Sequence, residues 1–274
     1  FNSLNSDGLP LYDADIISAQ LYAEAEKQGT VDQFKVLWKE LLDTIEELKE
    51  SGIANIDSIL MQQMYYVRAS KKETVSDTGS INVTTPGLRR YFTEINKDLL
   101  NHPIELCEGM INLSKIWLKI SSYPIAQVLL KFNENTKLFL ASFFYRFKEE
   151  DITEENVRTI LECVLRLFTI MEVVDIGYSS SNFKTFLFRE EVKFVDPAIG
   201  VDEIKTDFDK HISEKWNRDT IKAAIMDYDK HMLVYLNEFL FAKEHGLDFG
   251  IGAKYDIEHI MPYSGKNLSE IRKD

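Results

Sequence analysis

The stretch Lys137-Leu-Phe-Leu-Ala-Ser-Phe-Phe-Tyr-Arg-Phe147 decides the fold. Leu138, Phe139, Leu140, Ala141, Phe143, Phe144 and Phe147 make it apolar nearly all round, which predicts a helix buried at the centre of the molecule. A helix of that kind needs apolar partners on every side, and the flanking sequence supplies them. Val31–Lys49 sets Phe34, Leu37, Trp38, Leu41, Leu42, Ile45 and Leu48 at helical spacing, with Gly52 as its stop. Ile56–Ser70 does the same with Ile59, Leu60, Gln63, Met64 and Val67. Upstream, Asp13 is placed to cap a helix whose face carries Ile16, Ile17 and Leu21 and which Gly29 ends.

Downstream, Leu88–Leu100, Ile104–Ser121 and Tyr123–Phe132 read as helices, with Pro103 and Pro124 near their starts. Thr153, followed by Glu154 and Glu155, predicts a capped helix reaching Val174. Phe183–Phe194 and Val201–Lys215 read as further helices, and Arg218–Glu244 as a last long one that Gly246 caps. The expected fold class is mainly α, a multi-helix bundle or array with a short β segment near the C-terminus.

Composition narrows the function classes. With 45% hydrophobic and 28% charged residues, the chain can bury a core and still present a solvated surface. A net charge of −13 argues against the whole surface gripping nucleic acid, because phosphate binding needs clustered Lys and Arg. No apolar run reaches transmembrane length and no basic-then-apolar leader opens the chain, so a cytoplasmic location without a membrane partner is expected. Phe1 is not a start residue, so the chain is expected to be a piece of a longer polypeptide. Cys107 and Cys163 sit inside apolar helical patterns and read as buried thiols of a reducing compartment. His102, His211, His231 and His245 have no neighbours at metal-ligand spacing and read as structural or exposed.

No dinucleotide-type glycine fingerprint, phosphate loop or nucleophile elbow occurs. Arg68–Gly87 interrupts the helical pattern as a long polar loop. Arg68, Lys71, Lys72, Arg89 and Arg90 around it form the densest local cationic cluster, open to two readings: phosphate contact or a solvated surface.

Chemistry-bearing residues crowd near the end, in Tyr255-Asp-Ile-Glu-His-Ile-Met-Pro262. Alternation of Tyr255 and Ile257 fits a short strand that sends Asp256 and Glu258 to the other face, and Pro262 ends the ladder. An imidazole beside a carboxylate at a strand end suits a general base next to a cation. By itself, the same cluster also reads as a surface turn.

Both ends carry a family resemblance. Phe1-x-x-x-Asn5-x-x-Gly8-x-Pro10-Leu11-x-x-Ala14-Asp15 resembles the closing motif of the GmrS-like domain of GmrSD-type modification-dependent restriction endonucleases. Asp256-Ile-Glu-His259-Ile-Met-Pro262 resembles the opening motif of the GmrD-like nuclease domain of the same proteins, a member of the His-Asn-His superfamily. The resemblance implies a parent protein that hydrolyses a nucleoside triphosphate, recognises modified foreign DNA and cuts it with a divalent metal, Mg. It implies His259 as general base, Glu258 as acidic metal ligand, and Asp256 as a further ligand or orienting group. Phe1 and Asn5 would then lie near the nucleotide pocket.

The Asp-Gly-Gln-Gln-Arg motif of the first domain and the later asparagine segments of the second are absent from the sequence. Three regions are therefore expected: residues 1–29 from the end of a GmrS-like domain, 30–250 as a helical connector, and 251–274 as the start of the nuclease, with the fragment inactive alone. The competing reading is a non-catalytic helical interaction module that binds through the Arg68–Gly87 loop and the aromatic Phe183–Phe194 segment.

Overall fold

The computed structural model describes residues 12–50, 52–130, 135–174, 180–227 and 232–247. It is mainly α, with twelve α-helices and no β-strand among the described residues. The first five are α1 (Asp13–Lys27), α2 (Val31–Glu50), α3 (Ile56–Ser70), α4 (Leu88–Arg90) and α5 (Pro103–Ile120). They are followed by α6 (Pro124–Leu129), α7 (Asn135–Phe144), α8 (Glu154–Val174) and α9 (Ser180–Phe194). The last three are α10 (Val201–Lys215), α11 (Arg218–Asp227) and α12 (Met232–His245).

Helix α7 is buried as its composition predicts, because aromatic neighbours close on it from three directions. Phe144 meets Trp117 of α5 edge to face at 5.1 Å, Phe143 meets Phe194 of α9 at 5.1 Å, and Phe139 meets Phe208 of α10 at 5.7 Å. Edge-to-face and tilted geometries of this kind add to plain area burial. The helix ends at Phe144, before the expected Phe147, where tight hydrogen bonds from Arg146 to Phe143 and from Phe147 to Phe144 turn the chain. Helices α2 and α5 lie side by side, joined at their rim by Lys115 and Glu40 at 2.6 Å. Helix α8 packs on α6, α10 and α11, and α12 packs on α6. One apolar core runs through all of this, from Ile17 and Leu21 of α1 to Leu236 and Phe239 of α12.

Helix ends follow local chemistry. Gly52 takes φ +68°, and the Ile53 N–H reaches back to Leu48 O at 2.8 Å, closing α2 with a left-handed residue that a side chain would strain. Thr153 caps α8 reciprocally: its Oγ1 accepts from Asn156 N at 3.2 Å, and Asn156 Oδ1 accepts from Thr153 N at 2.9 Å.

Two expectations are corrected. Asp13 does not cap α1; it is the first helical residue, and its carboxylate accepts the Arg89 N–H of α4 at 3.3 Å. Leu88–Leu100 is not one helix. It divides into α4, a π-turn at Tyr91–Ile95 and a 3₁₀ turn at Lys97–Asn101, because Tyr91 and Phe92 are both fully buried and Asn96 is drawn inward to Glu73. The Arg218–Glu244 span appears as α11 and α12, with residues 228–231 between them outside the described residues. The expected Tyr255–Pro262 strand also lies outside the described residues.

Candidate functional site

The densest unusual chemistry among the described residues lies where α3 ends, the 71–87 loop begins and α9 crosses. It exists because α3 carries a charged residue, Arg68, on its inward face in its last turn. Arg68 is 5% exposed. Its Nη2 donates to Thr84 O at 2.9 Å, its guanidinium carbon stands 5.3 Å from the centre of the Tyr65 ring, and its Nη1 is buried without a hydrogen-bond partner among the described residues. Glu191 of α9 shares this environment at 1% exposure, and its Oε1 is likewise buried without a hydrogen-bond partner among the described residues. Burial pushes the Glu191 carboxyl well above the ordinary carboxylate range, and the Arg68 charge opposes that shift.

Two tyrosines wall the cluster. Tyr65 packs its ring on Phe188 of α9 at 4.9 Å, and its hydroxyl bonds Thr85, pinning the far end of the loop. Burial raises its pKa, with Thr85 and Arg68 pulling the other way. Tyr91 of the π-turn donates to Glu73 Oε1 at 3.4 Å, and burial followed by the Glu73 charge raises its phenol pKa strongly. Asn96 Nδ2 donates to the same Glu73 oxygen at 2.7 Å, while Lys71 Nζ donates to Asn96 Oδ1. Thr74 Oγ1 is a third buried polar atom with no hydrogen bond among the described residues. Buried polar atoms are nearly always satisfied, so three orphans around one loop single out this region.

The cationic cluster expected around the loop is thus not one surface. Arg68 points inward, whereas Arg89, Arg90, Lys71 and Lys72 remain exposed. Lys72 stands at φ +55°, a left-handed conformation rare outside glycine. Arg90 lies 3.5 Å from Glu94. The loop is pinned rather than freely solvated: Val75 and Ile81 form an antiparallel bridge, and Asn82 N donates to Thr74 O at 2.8 Å. The aromatic segment of α9 is no binding surface either, because Phe183, Phe186, Leu187, Phe188 and Phe194 are all buried.

The other expected site residues fall elsewhere. Phe1, Asn5, Asp256, Glu258 and His259 lie outside the described residues, as does His231. Among the described residues, no three His, Cys, Asp or Glu side chains gather into a metal-binding group. Cys107 and Cys163 are buried free thiols, with burial pushing Cys107 up to about 12 and raising Cys163 as well. His211 stacks on Phe186 at 4.0 Å, and His245 stacks on Phe241 at 4.2 Å.

That Arg68 and Glu191 are buried in one electrostatic environment was not legible in sequence, since they come from helices far apart along the chain. The one available signal was an arginine on the apolar side of the α3 pattern. No family model, curated protein or solved structure matches this chain.

Proposed function

We propose that the chain is the helical connecting region of a GmrSD-like modification-dependent restriction endonuclease, bearing the end of a nucleotide-dependent domain and the start of a His-Asn-His nuclease. The observation that carries this reading is the order of the two terminal motifs, Phe1–Asp15 and Asp256–Pro262, on either side of a mainly α body. In this reading His259 activates water, Glu258 and Asp256 face a divalent metal, and Phe1 and Asn5 border a nucleoside triphosphate. The short C-terminal β segment begins the nuclease, residues 30–250 connect the two domains, and the parent acts in the cytoplasm on modified DNA. No helix among the described residues is long and apolar enough to cross a membrane.

The test is nicking of modified phage DNA by the full-length parent with Mg²⁺ and a nucleoside triphosphate. His259→Ala is expected to abolish cleavage while leaving nucleotide hydrolysis in place. Cleavage at the parental rate by that variant would remove His259 from the reaction.

A non-catalytic interaction module is the second reading. It draws support from apolar side chains left exposed on α11 and α12, among them Met226, Leu240 and Phe241. The parental reading frame separates the two: an upstream Asp-Gly-Gln-Gln-Arg and downstream asparagine segments favour the nuclease, and their absence favours the module.

A further inference from the structure

Two consecutive glutamates of α9 are buried to the same degree but face different neighbours. Glu191 shares its environment with Arg68 of α3. Glu190, 1% exposed, lies beside Lys193 of its own helix, whose Nζ is 3.5 Å from Glu190 Oε2 and contacts Asp207 Oδ2 of α10 more closely. Glu190 Oε2 is buried and makes no hydrogen bond with the described residues. The seam therefore holds two carboxyl groups for one ammonium, in surroundings that are largely aromatic. Phe186 packs on Phe208 at 4.8 Å, and Phe139 packs on Phe208 at 5.7 Å.

Other charged groups around the seam are directed elsewhere. On α9, Arg189 is exposed and Glu191 faces the α3 side; on α10, His211, Glu214 and Lys215 lie further along toward its end. From α7, Lys137 donates to Ile53 O, and Arg146, in the turn that follows it, donates to Pro197 O at 3.1 Å. On the α8 side of α10, Arg166 pairs with Asp209. Burial, with Lys215 and Arg189 adding to it, lowers His211 to about 4, so its ring is neutral throughout the physiological range.

We propose that Glu190, Lys193 and Asp207 form a proton-operated latch between α9 and α10. With Glu190 protonated, one ammonium balances one carboxylate and the buried carboxyl is neutral. Ionisation releases that proton to solvent and leaves two carboxylates against one ammonium in a poorly solvated seam, which favours separation of the helices. The Glu190 carboxyl is set for this role near neutrality: burial raises it to about 7, with Lys193 opposing and Asp207 reinforcing. Because the latched form binds the proton more tightly, the latch is strongest below that value and weakens as pH rises through it.

The test is hydrogen exchange of the full 274-residue chain from pH 5.5 to 8.5, with rates corrected for their intrinsic pH dependence. Protection of α10 amides is expected to fall as pH rises, by up to about tenfold per pH unit on the acid side of the midpoint. Trp216, buried at the end of α10, supplies a fluorescence readout of the same change. Glu190→Gln should flatten both profiles, and Asp207→Asn should move the midpoint down by removing a like charge. Flat α10 protection in the unaltered chain would overturn the latch. So would an unchanged profile in Glu190→Gln or an unmoved midpoint in Asp207→Asn.

Discussion

Trp117 Nε1 donates a 2.7 Å hydrogen bond to Gln62 Oε1, and neither side chain is reached by solvent. The bond ties α5 to α3 inside the aromatic core, where Trp117 also meets Phe144 of α7. Removing the acceptor would strand an indole N–H in apolar surroundings. Gln62→Leu is therefore expected to cost about 1–3 kcal/mol, measured as a lowered urea midpoint with an unchanged slope. Phe144→Ala, which opens a cavity at the same junction, should cost more, about 3–5 kcal/mol.

Gly109 sits in the interior of α5, where a helical glycine is unfavourable. A Cβ placed there would stand 3.5 Å from the Tyr145 ring and 3.9 Å from Gln63 Oε1, both ordinary contacts. Gly109→Ala is thus expected to stabilise the chain by about 0.5–1 kcal/mol. A thermal midpoint raised by a few degrees checks this, and a lowered one would show that Tyr145 cannot accommodate the methyl.

Glu191 gives a pH dependence of known sign. Its folded-state pKa lies above the ordinary carboxylate value because burial outweighs the Arg68 charge. The folded chain then holds the proton more tightly than the unfolded chain. The associated stability is complete below the ordinary glutamate range and is lost as pH rises from there toward the raised value. Glu191→Gln should remove this share of the slope. Its advantage over the unaltered chain in urea melts should be larger at pH 8 than at pH 5.

Burial raises the pKa of both thiols, which keeps them protonated and inert at neutral pH. A thiol reagent at pH 8 is expected to leave Cys107 and Cys163 unmodified in the folded chain and to label both in denaturant. Labelling of one before unfolding would locate a local opening at its helix.

Much of the helical architecture could be read from the chain because it is written in local spacing. The stripes of α2 and α3, the all-round apolar α7, the Pro103 and Pro124 helix starts and the Thr153 cap each depend on residues within a turn or two. What escaped that reading depends on distant partners. Leu88–Leu100 has helical composition, yet Glu73 draws in Asn96 and breaks the ladder. Arg68 looked like part of a surface patch, because nothing near it in sequence announces Glu191, Thr84 or the Tyr65 ring. The aromatic spacing of Phe183–Phe194 reads as a core stripe, but the partners that cover it, Tyr65 of α3 and Phe208 of α10, lie elsewhere in the chain and are not announced locally.

The Asp13–Arg89 contact has a mechanical consequence. The three-residue helix α4 starts from Gly87, which has no side chain to cap it, and it receives its acceptor from α1 at the other end of a 76-residue span. The first helix therefore acts as a clasp on the segment that follows the 71–87 loop. Clipping the chain ahead of α1 should leave the loop intact, whereas trimming through Asp13 should make the same loop an early target for protease.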